Sequence, residues 1–357
     1  MIKTYILCLC LALACLLTFS GCGFHDEEEA EGDNVVYVYN WGDYIDPDTL
    51  EQFEEETGIH VVMDEFDTNE SMYPLVAAGG VRYDVICPSD YMIQKMIKHD
   101  LLQPLDFSRL PNARQYVGQA FYKQSETFDP GNIYSVPYCW GTVGILYNRT
   151  MVDDPVDSWD ILWNEKYKNE ILMQDSPRDA YMVALKRLGY SLNTTNPDEI
   201  RQARDMLIAQ KPLVQAYGID DVKDKLVSGE AAMGVIFSGE PLRMMLENED
   251  LAYVVPKEGT NLWIDSWVIP KNSAHVENAH AFIDFMSRPD IALKNFEYLT
   301  YSTPNTAVPE MEEDEDYKDN PVVFPPPEVY EGQETYQDLG EDGDKMYNEG
   351  WIQVKVY

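Results

Sequence analysis

The feature that most limits the fold is a strand–helix–strand alternation that starts at Val35 and keeps returning. Val35-Val36-Tyr37-Val38-Tyr39 concentrates β-branched and aromatic residues, which predicts a strand. Asp46 then has the side chain of an N-cap, and Pro47 suits the first helical position. Leu50 and Phe53 fall on one helical face, and Gly58 supplies a stop. Ile59-His60-Val61-Val62-Met63 reads as the next strand. The pattern continues with a helix over 69–78, a short buried strand over 84–87 and a helix over 91–98 with Ile93, Met96 and Ile97 inward. Farther on, helices are predicted over 178–188 (Tyr181, Leu185 and Leu188 on one face), over 197–209 and over 220–227. Strands are predicted over 231–237, over 251–255 and again at Val268-Ile269-Pro270, before helices over 276–286 and 289–299. The last stretch is acidic around 310–319, proline-rich at Pro325-Pro326-Pro327, and carries a helix before Trp351. Such alternation covers the faces of a sheet with helices, so the chain reads as α/β with mostly parallel sheets.

The N-terminus reads as an export signal. Lys3 gives a positive start, residues 6–19 are almost wholly apolar, and Ser20 and Gly21 are small. The apolar run is too short for a permanent transmembrane helix. Phe19-Ser20-Gly21-Cys22 resembles a bacterial lipobox, in which the cysteine becomes the first mature residue and carries a lipid. A signal peptide over 1–21 and lipid attachment at Cys22 are therefore expected. Residues 22–33, rich in Asp and Glu, then suit a self-repelling tether with nothing to bury. The protein is expected outside the cytoplasm, held by that lipid to the outer face of the cell membrane, on the periplasmic side in a Gram-negative cell.

About 335 residues follow the signal, enough for two domains. The chain holds 26 basic and 63 acidic residues, a formal charge of −37. Such a surface repels nucleic acid and anionic headgroups and concentrates cations, so no nucleic-acid partner is expected. Of the cysteines, only Cys87 and Cys139 lie beyond Cys22. Both follow strand-like runs and read as small buried residues, and their spacing leaves a disulfide open. The five His are scattered without ligand spacing, so no metal site and no cofactor are expected. No motif sets an oligomeric state, and a monomer is expected.

In α/β sheets, ligands sit beyond the carboxyl ends of the strands. Here those ends read Asn40-Trp41-Gly42-Asp43-Tyr44, Pro88-Ser89-Asp90-Tyr91, Gln174-Asp175-Ser176-Pro177-Arg178-Asp179 and Ser238-Gly239-Glu240, and Trp263-Ile264-Asp265-Ser266 precedes the strand at Val268. Singly, each has a plain structural reading. Asp175 or Ser176 can cap the next helix, Asp43 and Asp265 can be turn residues, and Trp or Tyr can plug a core. Together they gather acids and aromatics at one rim. An ammonium group needs a carboxylate, because burying a bare cation is costly. An aromatic face adds about 0.5–2 kcal/mol to each ammonium, and aromatic walls bury a polymethylene spine at about 0.8 kcal/mol per methylene. Acids at the ends with aromatics along the middle suit a long, thin diamine or triamine. An acid pair could serve a glycosidase, but nothing marks such a pair. A Gly-x-Ser-x-Gly elbow, a phosphate-binding loop and an HExxH motif are absent from the sequence. A binding protein is expected rather than an enzyme.

At these residues the chain resembles the spermidine/putrescine-binding components of bacterial polyamine ABC importers. The resemblance spans residues 35–340. It rests on Tyr39-Asn40-Trp41-Gly42-Asp43-Tyr44-Ile45, Asn69-Glu70-Ser71-Met72-Tyr73, Pro88-Ser89-Asp90-Tyr91, Val136-Pro137-Tyr138-Cys139-Trp140-Gly141, Pro256-Lys257-Glu258-Gly259, Trp263-Ile264-Asp265-Ser266 and Tyr301-Ser302-Thr303-Pro304-Asn305. It implies a two-lobe periplasmic-binding-protein-like fold of class II type, with the ligand cleft between lobes made of 34–139 plus 265–309 and of 140–264 plus 310–357. The lobes would close on a polyamine and dock on the permease subunits of an ABC transporter. The aromatic walls would be Trp41, Tyr44, Tyr91, Trp263 and Tyr301, the ammonium-binding acids Asp179 and Asp265, with Asp43 and Ser89 as further polar contacts.

The sequence departs from the family pattern in places that bear on ligand length. Phe237 stands where well-known members have a Trp, which keeps an apolar wall but loses an indole N–H. Glu240 follows, where putrescine-preferring members have an acid. Ser176 stands where some spermidine-binding members have an acid, with Asp175 beside it. The C-terminal polar contact falls near Tyr336 or Gln337. A same-fold carrier for a quaternary amine, thiamine or ferric iron, or an anchored adhesin or sensor, stays open on these residues.

Overall fold

The computed structural model of the chain describes residues 34–218 and 223–356. The expected signal peptide, Cys22 and the acidic tether lie outside the described residues.

Local chemistry sets the first elements as the sequence indicates. The Asp46 side chain accepts from the Asp48 N–H and opens the Pro47–Thr57 helix, and Gly58 closes it in the left-handed region at φ 69°. Phe53 on that helix is fully buried, and such burial is worth about 2–3 kcal/mol. The helices Asn69–Ala78, Val276–Met286 and Pro289–Leu299 match their expected spans. The 91–98 helix starts one residue early, at Asp90, and Ile97 and Leu188 are only half-buried. The helix expected over 220–227 is described over Lys223–Val227. Trp351 lies inside the Gly340–Val356 helix rather than after it.

Among the described residues nine strands form one sheet: β1 (Val35–Trp41), β2 (His60–Phe66), β3 (Val85–Ile86), β4 (Ser135–Asn148), β5 (Ile171–Gln174), β6 (Val214–Gly218), β7 (Met233–Phe237), β8 (Leu251–Val254) and β9 (Leu262–Val268). Their order is β2-β1-β3-β9-β4-β7-β5-β6, with β8 pairing to β4. The expected parallel pairing is found towards both ends, where β1 pairs with β2 and β3 and β5 pairs with β6 and β7. The middle differs: β9 runs antiparallel to β3 and β4, and β4 runs antiparallel to β7 and β8. The reason lies in the path of the chain. β4 spans 14 residues and leaves one core for another, pairing with β9 over its first half and with β7 and β8 over its second. β9 brings the chain back, so the two run in opposite directions. Pro137 sits at the register shift in β4, where its missing N–H is tolerated.

By their residues alone Trp263–Ser266 are expected ahead of a strand at Val268. They instead lie within β9, which ends at Val268. Period-2 alternation then puts Trp263 and Asp265 on the same face.

Two cores flank this crossover. One gathers Trp159, Tyr181, Tyr347 and Trp351. The other side holds Phe53, Trp267 and Phe282, with Met72, Ile93 and Trp140 in a neighbouring group. Val308 and Val323 pack on Ala292 and Phe296 before the chain reaches its last helix. Cys87 and Cys139 are buried and carry free thiols. Among the described residues no helix is long and apolar enough to cross a membrane.

Candidate functional site

A cleft of about 980 Å³ is lined by residues from both cores. It brings together all eleven side chains singled out in the sequence. Trp41, Asp43 and Tyr44 come from the end of β1 and its following turn. Ser89 precedes the Asp90–Lys98 helix, Tyr91 lies in its first turn, and Asp179 lies in the first turn of the Pro177–Leu188 helix. Phe237 and Glu240 come from the end of β7, Trp263 and Asp265 from β9, and Tyr301 from just beyond the Pro289–Leu299 helix.

The acids define the electrostatics. Asp265 is 7 % exposed, and its Oδ2 accepts from the Tyr44 hydroxyl at 3.0 Å. Among the described residues its Oδ1 has no hydrogen-bond partner. Burial pushes its pKa up to about 6, against the opposing pull of the Ser89 and Tyr44 hydroxyls. Asp179 is as deeply placed and accepts from the Tyr336 hydroxyl at 2.9 Å. Burial raises its pKa too, partly offset by Ser176, Tyr336 and Arg178. Ser176, not Asp175, caps the Asp179 helix, and Asp175 turns away to pair with Lys355 at 2.9 Å.

Aromatic side chains wall the space between these acids. The Trp41 indole N–H donates to the Cys87 carbonyl at 2.8 Å, which fixes its ring. Tyr44 and Tyr301 lie 6.0 Å apart between ring centroids, and Tyr301 meets Trp263 edge-on at 5.3 Å. Two glycines allow that seating. A Cβ on Gly239 would collide with the Tyr301 ring, and one on Gly141 with the Trp263 ring. Tyr91 donates to Glu70 at 2.9 Å and accepts from Asn69 at 3.1 Å. Asp43 holds φ 52°, a left-handed backbone that aspartate tolerates. Phe237 supplies an apolar wall.

Several lining residues escaped the sequence reading. Asp90 is fully buried, its Oδ2 has no partner among the described residues, and burial raises its pKa well above the usual range. It stood in the quoted Pro88–Tyr91 segment, where a helix-opening acid is unremarkable. Asn69 bridges Ser89 and Tyr91, and Asn261 leaves its Oδ1 buried without a partner. Tyr336 proves to be the aromatic partner of Asp179, while Gln337 does not line the cleft. Lys223 and Arg243 bring cations to the rim, and no local pattern marked either. Among the described residues no cluster of His, Cys, Asp or Glu could hold a metal ion.

Chemically, the cleft offers buried carboxylate oxygens without partners beneath aromatic walls. Such oxygens call for N–H donors carrying positive charge.

The sequence pattern of bacterial extracellular solute-binding proteins matches residues 48–325. The chain is 36 % identical over 329 residues to the spermidine/putrescine-binding periplasmic protein of Salmonella typhimurium, covering 92 % of this chain and 93 % of that one. It is 33 % identical over 344 residues to the putrescine-binding periplasmic protein SpuD of Pseudomonas aeruginosa, again covering 92 % and 93 %. Among solved structures, a spermidine/putrescine ABC transporter substrate-binding protein of Streptococcus pneumoniae superposes with a TM-score of 0.82 at 43 % identity, over 91 % of this chain and 99 % of that one.

Proposed function

The chain belongs to the family of bacterial extracellular solute-binding proteins, and from that premise we propose that its cleft captures a linear polyamine, putrescine or spermidine, for an ABC importer. Members of this family bind solutes and do not transform them. The observation that carries the reading is the Asp265 Oδ1, a buried carboxylate oxygen with no partner among the described residues, in the cleft walled by Tyr44, Trp263 and Tyr301. Asp90 Oδ2 and Asn261 Oδ1 are buried and unpartnered in the same cleft. A primary ammonium has N–H groups for these acceptors and a quaternary amine has none, which favours a polyamine over choline-like solutes. The names of the relatives, which bind spermidine and putrescine, support the same class.

In this reading Asp265 and Asp179 hold ammonium groups. Trp41, Tyr44, Tyr91, Phe237, Trp263 and Tyr301 enclose the methylene spine, Asp43 and Ser89 add polar contacts, and Glu240 stands at the far end. Lobes of 34–139 plus 265–309 and of 140–264 plus 310–357 close on the ligand and present it to permease subunits. The protein acts as a monomer tethered through lipidated Cys22 at the outer face of the cell membrane.

A thermal-shift panel on the signal-free protein tests the ligand class. A ligand at a hundred times its Kd stabilises by about 2.7 kcal/mol. Putrescine or spermidine should raise Tm by several degrees, whereas choline and thiamine should leave it unchanged. A shift with choline or thiamine alone would overturn the reading.

A further inference from the structure

The acids of the cleft are linked by a succession of contacts. Asp179 is bonded to Tyr336, and Asp90 lies within electrostatic reach of Tyr336 on one side and of Asp265 on the other. Asp265 is bonded to Tyr44, whose ring faces that of Tyr301. The Tyr301 hydroxyl in turn donates to Glu240 Oε1 at 3.2 Å. Three carboxylate stations therefore follow one another: Asp179, then Asp265 with Asp90, then Glu240. A thin chain with three ammonium groups could in principle meet all three.

The third station is already taken. Lys223 Nζ lies 2.9 Å from the same Glu240 Oε1, and both side chains line the cleft. A lysine side chain is four methylenes ending in a primary ammonium. It has the chemistry of one end of a linear polyamine, supplied by the protein itself. Neutralising Glu240 in this way also removes the attraction that the far end would exert on another cation, and a second ammonium brought beside Lys223 meets like-charge repulsion.

We infer that Lys223 is a specificity-determining residue: its ammonium occupies the Glu240 station, leaves the ligand the Asp265 and Asp179 stations, and so favours a diamine over a triamine. The inference rests on the polyamine reading of the cleft. It adds which member of the class the cleft prefers and why.

Calorimetric titration of putrescine and spermidine into wild type, Lys223→Met and the double variant Lys223→Met with Glu240→Gln tests it. In Lys223→Met, Glu240 is released, and spermidine should gain about tenfold in affinity relative to putrescine. The double variant should lose that gain, since the released carboxylate is gone. Lys223→Gln, which keeps a polar end without the charge, should repeat the Lys223→Met result and serves if the methionine variant folds poorly. A spermidine-to-putrescine ratio that stays within about twofold of wild type in both single variants would overturn the inference. If wild type binds both ligands and the ratio does not move, this inference alone fails. If wild type binds neither, the polyamine reading fails and takes this one with it.

Discussion

Replacing Asp265 by Asn should strengthen the empty protein while weakening its grip on ligand. The carboxylate is buried, its pKa is raised to about 6 from the ordinary aspartate value of 3.8, and one oxygen has no partner among the described residues. Above pH 6 it is ionised in both folded and unfolded chains. The difference in pKa then corresponds to about 3 kcal/mol of lost stability. The isosteric amide carries no charge to desolvate and can still accept from the Tyr44 hydroxyl. Apo Asp265→Asn should therefore be more stable at pH 7.5 by up to about 3 kcal/mol, a rise in Tm of roughly 3–6 °C. The sign with pH follows from the same shift. The advantage over wild type is full above pH 6, shrinks as pH falls and the native Asp265 takes up its proton, and vanishes below 3.8. Binding moves the other way. Removing one partner of a desolvated ion pair costs about 2–5 kcal/mol, so affinity for a diamine should fall at least about tenfold. Differential scanning calorimetry of the apo proteins, beside titration calorimetry with putrescine, reads both effects. A lower apo Tm in the variant, or wild-type affinity, would refute the argument that an uncompensated carboxylate is held for a cation.

Three further outcomes follow from the same geometry. Diamine affinity should be level above pH 7 and fall about tenfold per pH unit below 6, as protonation of Asp265 removes the charge; a flat profile down to pH 5 in titration calorimetry would contradict this. Trp263→Ala should weaken binding at least about tenfold, a loss of 1.4 kcal/mol or more of aromatic contact, and unchanged affinity would show that Trp263 does not touch the ligand. Gly239→Ala forces the Tyr301 ring to move, so affinity should fall about tenfold while apo Tm changes by less than about 3 °C. Equal losses of stability and affinity would mean that Gly239 serves the fold rather than the wall.

Much of the fold could be read from the residues because its signals are local. Asp46, Pro47 and Gly58 bracket one helix, and the bounds of 69–78, 276–286 and 289–299 follow from caps and apolar spacing. What escaped was set at long range. β4 is a strand of two halves whose partners lie more than 80 residues away, so no local pattern announces its crossover. Trp263–Ser266 mixes an indole, a carboxylate and a hydroxyl and does not look like an interior strand until β4 pairs with it. β6 went unseen because its side chains are half-exposed and weakly patterned. In the cleft, strand-end acids and aromatics were legible as a class. Asp90 was not selected, because an acid opening a helix is ordinary until burial leaves its oxygen without a partner. Lys223 was invisible, since one lysine amid aspartates becomes informative only when it is found on Glu240.

The most direct test of the central claim is titration calorimetry of the signal-free protein with putrescine and spermidine at pH 7.5. Saturable binding of one diamine or triamine per chain, lost or weakened at least about tenfold in Asp265→Asn, is the outcome the cleft predicts. No heat with either polyamine at millimolar concentration would contradict it.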